Sequence, residues 1–165
     1  MRVKCIFQGG GANLATLLCA VEALGQLEDE GFLEISEVAG TSAGSLAAAC
    51  LAHPRQNAEL MQRIVSIASD KIDQFKIPKT RAGLIWKLAW GSSLIDEQKL
   101  ESIVRDFFKI DNKDFSFEDA KYPLYICASD IRRSNPVIFK KGTEKPLDEA
   151  LTDSCAIPFV FRGHS

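Results

Sequence analysis

The sequence predicts an α/β domain of three layers, in which helices flank a mainly parallel β-sheet. Two short apolar runs near the N-terminus are each followed by glycines and then by a segment with the composition or periodicity of a helix. A strand, a helix, a strand and a helix in that order indicate parallel strands joined by right-handed crossovers. With 165 residues, 46% of them hydrophobic, the chain is long enough to enclose one substantial core.

The first half of the chain contains the clearest elements. Residues Val3–Phe7 form a short apolar run bounded by glycine, which is typical of a buried strand. Leucine and valine then recur every three or four residues over 14–30, which predicts an amphipathic helix. Residues Glu37–Thr41 predict a second buried strand. The Ala- and Leu-rich run Ser45–Ala52 predicts a helix that a following His-Pro pair ends.

The second half is less regular, but it still supplies both helices and strands. Two helices are predicted over Gln56–Ile72 and Asp96–Phe108 from their apolar spacing. Residues Tyr122–Ser129 are predicted to form a strand, with Pro136–Phe139 as its hairpin partner. A last short helix is predicted over Pro146–Cys155.

Composition and charge exclude several classes of protein. The formal net charge of −2 gives no basis for nucleic-acid binding, which a basic surface would favour. The five cysteines are scattered without a Cys-x-x-Cys pair, which argues against a disulfide framework or a metal site and fits a reducing compartment. No stretch reaches the roughly 18 apolar residues of a membrane span. These features predict a soluble, cytoplasmic protein without a metal, in which residues 1–165 all belong to one domain.

The stretch "VAGTSAGSLAAACLA" carries the main candidate for chemistry. It contains the pattern Gly40-Thr41-Ser42-Ala43-Gly44 between a predicted strand and a predicted helix. A nucleophile on such a tight turn needs small neighbours, because the backbone is strained and adjacent chains approach closely. Its oxygen then stands at the carboxyl edge of the sheet, beside the positive end of a helix dipole. The alternative is that Ser42 or Thr41 caps the helix while the glycines pack it against the sheet.

A second glycine cluster follows the first predicted strand. Gly9, Gly10 and Gly11 precede the first helix, and such a loop directs several backbone N–H groups at one point, which suits an oxyanion. In a parallel sheet this loop and the turn at Ser42 emerge at the same edge. Two nucleotide-binding interpretations fail here. The loop lacks the Gly-Lys-Ser/Thr end of a phosphate-binding loop, and Leu14 stands where a dinucleotide fingerprint needs glycine.

A glycine-rich loop near the N-terminus, followed further along by Gly-Thr-Ser-Ala-Gly, resembles the patatin-like phospholipase family. The stretch "YPLYICASDIRRSNPVIFKKG" looks like a strand and hairpin of that family. The stretch "ALTDSCAIPFVF" is similar to its Ala-Ser-x-Ala-x-Pro segment, which precedes the catalytic aspartate. The resemblance covers essentially the whole chain.

The resemblance implies a serine lipid acyl hydrolase of the phospholipase A or lipase type that works through an acyl-enzyme. Ser42 is then the nucleophile, and Gly9, Gly10 and Gly11 supply the oxyanion hole. The implied substrates are acyl esters of phospholipids, galactolipids or neutral glycerides, met in transient contact with a membrane or lipid surface. The family uses no cofactor and completes a Ser–Asp dyad with an aspartate in an Asp-Gly-Gly or Asp-Gly-Ala motif.

The chain departs from the family pattern at two places. Asn13 and Leu14 stand where the glycine loop usually has a basic residue and another glycine, which changes the packing behind the oxyanion hole. No Asp-Gly dipeptide occurs in the 165 residues. We therefore expect the dyad aspartate, and at least one more strand, beyond residue 165. Without its base the serine hydroxyl is a poor nucleophile, so this segment alone is expected to turn over little substrate.

Four other side chains have the chemistry of a base. Asp130 matches a family aspartate that is not the catalytic one, and Asp153 lies inside the last predicted helix. His53 follows Ser42 by about three helical turns, roughly 16 Å, which is too far for a hydrogen bond. His164 fits the Ser…Asp…His order of an α/β-hydrolase, and a triad of that kind is an alternative mechanism.

Two further alternatives stay open on the sequence alone. One is a non-catalytic lipid-binding or scaffold module that kept the turn at Ser42 for packing. The other concerns "AGLIWKLAW", in which Trp86 and Trp90 stand among apolar and basic residues. That segment is either an interfacial lid or a helix that covers the sheet. The sequence leaves the oligomeric state undetermined.

Overall fold

Four strands form one sheet in this computed structural model, in the order β1-β2-β3-β4. They are β1 (Arg2–Phe7), β2 (Glu34–Thr41), β3 (Leu124–Asp130) and β4 (Asn135–Phe139). β1, β2 and β3 run parallel, and β4 returns antiparallel to β3 as the predicted hairpin. A mainly parallel sheet with flanking helices is an α/β fold, which confirms the predicted fold class.

The structure describes residues 1–10, 14–54, 60, 62, 97–109, 114–130 and 133–156. These residues include the helices α1 (Leu14–Asp29), α2 (Ala43–Ala52), α3 (Glu97–Phe108) and α4 (Leu147–Cys155). Apart from residues 60 and 62, the helix predicted over 56–72 lies outside the described residues. The tryptophan segment "AGLIWKLAW" lies outside them as well.

Helix α2 is the centre of the core. All of its residues except Leu46 are buried, because their small side chains let the helix approach its neighbours closely. It shares one hydrophobic cluster with Val38 of β2 and Ile126 of β3. Helices α1 and α4 pack against α2, and α3 packs against α4. The face of β1 that points away from α2 carries Lys4 and Ile6, and Ile6 is 80% exposed. The second layer of helices, which the three-layer fold would place on that face, therefore stays a prediction.

Two elements begin earlier than the sequence pattern predicts. β2 starts at Glu34 because Arg2 and Val3 at the start of β1 pair with it there. Its first residues alternate between polar and apolar, so they lack the continuous apolar run that marks the rest of the strand. Helix α2 starts at Ala43, directly after Ser42, rather than at Ser45. The turn between β2 and α2, residues 40–44, is therefore as short as a nucleophile elbow requires, and it is called the elbow below.

Glu28, near the end of α1, joins three parts of the chain. One of its carboxylate oxygens accepts a hydrogen bond from the backbone N–H of Ile35 at 2.8 Å. The other accepts from Lys121 Nζ at 2.9 Å and from the Tyr122 hydroxyl. Burial raises the pKa of the Glu28 carboxyl, but these hydrogen bonds and the lysine charge outweigh burial and hold it below its ordinary value. The charged form of Glu28 therefore stabilises the fold.

Replacing Glu28 with glutamine is expected to lower the free energy of unfolding at neutral pH by about 2 kcal/mol, because a neutral amide accepts these bonds more weakly. Stability from a depressed pKa is fully present above the unfolded value, about 4.3 for glutamate, and is lost as pH falls through the folded value. The difference in free energy of unfolding between wild type and Glu28→Gln should therefore disappear at acidic pH. Urea titrations over a pH series measure it. Glu22→Gln, at an exposed position of the same helix, is the matched control, and an equal loss there would contradict the prediction.

No helix in the described part of the chain is both long enough and apolar enough to cross a bilayer.

Candidate active site

The carboxyl ends of three parallel strands meet at one edge of the sheet. Phe7 at the end of β1 pairs with Gly40 of β2, and Thr41 at the end of β2 pairs with Cys127 of β3. The glycine loop after β1 and the turn after β2 therefore leave the sheet side by side. This is the edge at which α/β sheets bind ligands.

Ser42 has a strained backbone. Its φ is 53° and its ψ is −128°, a conformation that non-glycine residues rarely adopt. A backbone held in such a region costs on the order of 1–3 kcal/mol and persists only where the surroundings determine it. The Ser42 side chain makes no capping hydrogen bond to α2. Its position at the start of the helix is therefore not that of an ordinary helix cap.

The two glycines that flank Ser42 allow backbone to pack against backbone. A Cβ atom at Gly40 would lie 2.1 Å from the carbonyl oxygen of Gly44. A Cβ atom at Gly44 would lie 2.2 Å from the carbonyl oxygen of Phe7. Both distances are far inside van der Waals contact. A side chain at Gly40 would force the end of β2 away from the start of α2, and one at Gly44 would force α2 away from the end of β1. The Gly-x-Ser-x-Gly spacing is therefore a steric requirement of this turn.

The glycine loop after β1 lies directly against Ser42. A Cβ atom at Gly9 would stand 3.2 Å from Ser42 Cβ and 3.3 Å from the carbonyl oxygen of Thr41. Gly10 follows with a φ of 152° and is exposed. Gly11 and Asn13 lie outside the described residues. The structure thus brings together Gly9 and Ser42, two of the residues that the sequence pattern singles out.

Hydrogen bonds hold the Ser42 backbone at both its carbonyl oxygen and its N–H group. Its carbonyl oxygen accepts from the Ser45 backbone N–H at 2.8 Å and from Ser45 Oγ at 2.6 Å. Its backbone N–H donates to Ser154 Oγ at 2.8 Å. Ser154 Oγ in turn donates to the carbonyl oxygen of Cys127 at 2.6 Å. The end of α4 is thereby tied to both the elbow and β3.

All five thiols of the chain are free, and one lies beside the elbow. Cys155 Sγ is 3.9 Å from Ser45 Oγ. Burial raises the pKa of the Cys155 thiol to about 11, although the hydrogen bond with Ser45 acts in the opposite direction. A thiol with that pKa is protonated at neutral pH and is a weak nucleophile. Ser42 is therefore a better candidate nucleophile than Cys155.

The candidate bases are engaged elsewhere. Asp130, at the end of β3, accepts a hydrogen bond from the backbone N–H of Arg133 at 3.1 Å, and Asp153 pairs with Lys145. His53 is buried at the far end of α2, with Nε2 3.4 Å from the carbonyl oxygen of Phe108.

Among the residues that the structure describes, no carboxylate or imidazole is hydrogen-bonded to Ser42 Oγ, and no group of metal-ligating side chains is assembled. His164 lies outside those residues. The base of the proposed dyad is therefore not among the described side chains.

Two residues at this edge were not among the predicted site residues. Ser45 is the first polar residue of α2. It stands three positions after Ser42, the spacing at which a serine hydroxyl can donate a hydrogen bond to an earlier backbone carbonyl oxygen. Ser154 lies in the stretch "ALTDSCAIPFVF", but no local pattern indicates that its hydroxyl reaches a residue 112 positions away. Only the tertiary fold reveals that contact.

The chain is similar to a protein of Bacillus subtilis strain 168 that is named the uncharacterized protein YqhO. The two are 26% identical over 171 residues, which cover 98% of this chain and 57% of the relative. The chain thus spans little more than half the length of that relative. A sequence model of the family described as patatin-like phospholipase matches residues 5–165, which include the glycine loop, Ser42 and Ser154. Such a family implies lipid substrates and hydrolase chemistry. This chain, with an elbow serine and a glycine loop at one sheet edge, belongs to the patatin-like phospholipase family.

Proposed function

We propose that the protein is a serine lipid acyl hydrolase of the phospholipase A or lipase type, with Ser42 as its nucleophile. Residues 1–165 form the N-terminal part of its catalytic domain in this proposal. The backbone N–H groups of the loop Gly9–Gly11 stabilise the oxyanion. The substrate is an acyl ester in a lipid surface, which the protein contacts transiently.

The single observation that carries the proposal is the backbone of Ser42. A φ of 53° at a serine, between two glycines that admit no Cβ atom, is a costly arrangement. Strain of this kind is retained where it serves the chemistry, here by presenting the serine oxygen at the carboxyl edge of the sheet. The contact of Gly9 with Ser42 supports the oxyanion assignment, because it brings the loop next to the Cβ atom that carries the Ser42 hydroxyl.

The proposed reaction has two steps. Ser42 Oγ attacks the ester carbonyl carbon while a base accepts its proton, and the tetrahedral oxyanion is held by backbone N–H groups. The alcohol of the lipid leaves with a proton, and an acyl-enzyme remains. Water then attacks the acyl-enzyme and releases the fatty acid. The base is an aspartate of an Asp-Gly motif, which we expect beyond residue 165.

The absence of a base next to Ser42 among the described residues favours one alternative. In that alternative the protein is a non-catalytic lipid-binding or scaffold module of the same family. The elbow is then retained only for packing α2 against the sheet. The two functions differ in whether Ser42 Oγ is reactive, and a covalent probe distinguishes them.

A long-chain alkyl fluorophosphonate tests the reactivity of Ser42 in the full-length protein. The Ser42 oxygen forms a bond to phosphorus as the P–F bond breaks, fluoride leaves, and the hydroxyl proton passes to the base. Peptide mass spectrometry is expected to find one adduct per chain, on the peptide that contains Ser42. Heat-denatured protein is the control and should remain unlabelled, because activation of the serine depends on the fold.

The same preparation should release fatty acid from phospholipid vesicles. An adduct on another residue, or hydrolysis that continues after Ser42 is fully labelled, would show that Ser42 is not the nucleophile. If neither labelling nor hydrolysis of phospholipid, galactolipid or glyceride occurs, the non-catalytic alternative is correct.

A further inference from the structure

Ser154 connects the Ser42 backbone to a distant part of the chain by a side-chain hydrogen bond. Its hydroxyl oxygen accepts from the Ser42 backbone N–H at 2.8 Å and donates its own proton to the Cys127 carbonyl at 2.6 Å. A serine hydroxyl has a single proton to donate, so this geometry uses it fully and in a defined direction. The hydroxyl therefore joins Ser42, the residue that follows β2, to the middle of β3.

The carbonyl oxygen and the N–H group of Ser42 are held in different ways. Ser45 binds the Ser42 carbonyl oxygen from within the same helix, so that bond forms wherever α2 forms. The bond from the Ser42 N–H to Ser154 spans 112 positions, so it forms only when α4 is docked. A strained backbone relaxes unless its surroundings hold it on each side. The N–H side of Ser42 depends on α4.

Helix α4 is well suited to act as a fixed support. Its residues Ala150, Leu151 and Thr152 are buried. Near its first turn Asp148 pairs with Arg105 of α3 at 2.7 Å. Ser154 lies near the opposite end, so the helix is anchored before it reaches the elbow. A hydroxyl on an anchored helix holds its partner more closely than one on a loop.

We propose that Ser154 is a positioning residue that holds the Ser42 backbone in its strained conformation. The Ser42 N–H already donates to Ser154 Oγ, so it is not available to donate to the oxyanion. The oxyanion donors then come from the glycine loop and from N–H groups at the start of α2 other than that of Ser45, which donates to the Ser42 carbonyl oxygen. The kinetic part of the proposal rests on the proposed function, whereas the structural part does not.

Three variants of the full-length protein separate positioning from general packing. Ser154→Ala removes the hydroxyl, and Ser154→Thr keeps it. Thr152→Val is the matched control, because it removes another hydroxyl from the same helix, one that binds the Asp148 carbonyl at 2.8 Å and does not touch the elbow. The melting temperatures of Ser154→Ala and Thr152→Val are expected to fall by similar amounts, about 2–4 °C.

The first readout is hydrogen exchange of the Ser42 amide, followed by NMR. Ser154→Ala should speed this exchange about tenfold or more, because the protecting acceptor is gone. Ser154→Thr and Thr152→Val should leave it near the wild-type rate. Unchanged protection of the Ser42 amide in Ser154→Ala would overturn the proposal whatever the activity of the protein.

The second readout is steady-state hydrolysis of phospholipid. A displaced nucleophile lowers kcat by about 10- to 100-fold with KM within about twofold, and Thr restores most of kcat. An equal loss of kcat in Thr152→Val would assign the effect to packing and reject a positioning role. Ser42→Ala separates the two proposals. If that variant retains hydrolysis, the proposed function fails; if it is inactive while Ser154→Ala matches wild type, only the positioning role fails.

Discussion

Replacement of Ser42 by alanine in the full-length protein is expected to reduce lipid hydrolysis by at least about a thousandfold, because the proposed attack on the ester carbonyl loses its nucleophile. The free energy of unfolding should stay within about 0.5 kcal/mol of wild type, since alanine keeps the Cβ atom and the strained backbone. Vesicle hydrolysis and urea titration measure the two quantities on the same samples. An alanine variant that keeps its turnover would remove Ser42 from the mechanism.

Ser42→Gly separates the loss of the hydroxyl from the release of strain. Glycine adopts a φ of 53° and a ψ of −128° at little steric cost, whereas serine does so under strain. The glycine variant should be as inactive as the alanine variant but more stable than it by about 1 kcal/mol, after the greater chain entropy of unfolded glycine is subtracted. If glycine is instead less stable than alanine, the Ser42 backbone stores no strain.

Comparison of Ser42→Ala and Ser42→Gly with wild type tests for a trade-off between stability and activity at position 42. A wild-type residue that is less stable than its inactive replacement is retained for what its side chain does. A packing or capping role for Ser42 predicts the opposite, because removal of a useful cap lowers stability. The sign of the difference between serine and glycine therefore bears on function without any assay of activity.

Much of the fold was predictable because its signals are local. The apolar run of β1, the periodicity of α1 and the hairpin of β3 and β4 all depend on neighbouring residues, and the structure confirms each of them. The start of β2 was missed because Glu34 is in the strand only through its pairing with Arg2. That pairing depends on an element thirty-two positions away in the sequence, since residue 34 meets residue 2.

The same distinction between local signals and contacts of distant segments applies to the candidate site. The strain at Ser42 and the approach of Gly9 follow from a short motif placed at the end of a parallel strand, so the sequence predicts them. The hydroxyl of Ser154 is a contact between distant segments, and serine is too common a residue to mark it. A base for Ser42 is expected from an Asp-Gly motif that the 165 residues do not contain.

The glycines of the elbow give the sharpest structural test. Gly40→Ala introduces a Cβ atom 2.1 Å from the carbonyl oxygen of Gly44, and Gly44→Ala introduces one 2.2 Å from the carbonyl oxygen of Phe7. Both clashes are with backbone, which has no alternative rotamer to adopt, so β2 and α2 must separate in Gly40→Ala, and α2 and β1 must separate in Gly44→Ala. Each variant is expected to lose about 3 kcal/mol of stability or more. Hydrolysis should fall at least about a hundredfold, because the nucleophile moves with the elbow.

Gly31→Ala is the matched control for these variants. Gly31 has a φ of 78°, but a Cβ atom there meets nothing within 4 Å, and the residue stands in the turn before β2, away from the carboxyl edge. Alanine at this position carries only the cost of a left-handed backbone, about 1–2 kcal/mol, and should leave hydrolysis unchanged. Urea titration of the three variants compares them directly. If Gly44→Ala is as stable as Gly31→Ala, the contact between α2 and β1 is looser than the 2.2 Å clash requires, and the Gly-x-Ser-x-Gly pattern is then not a steric requirement of this fold.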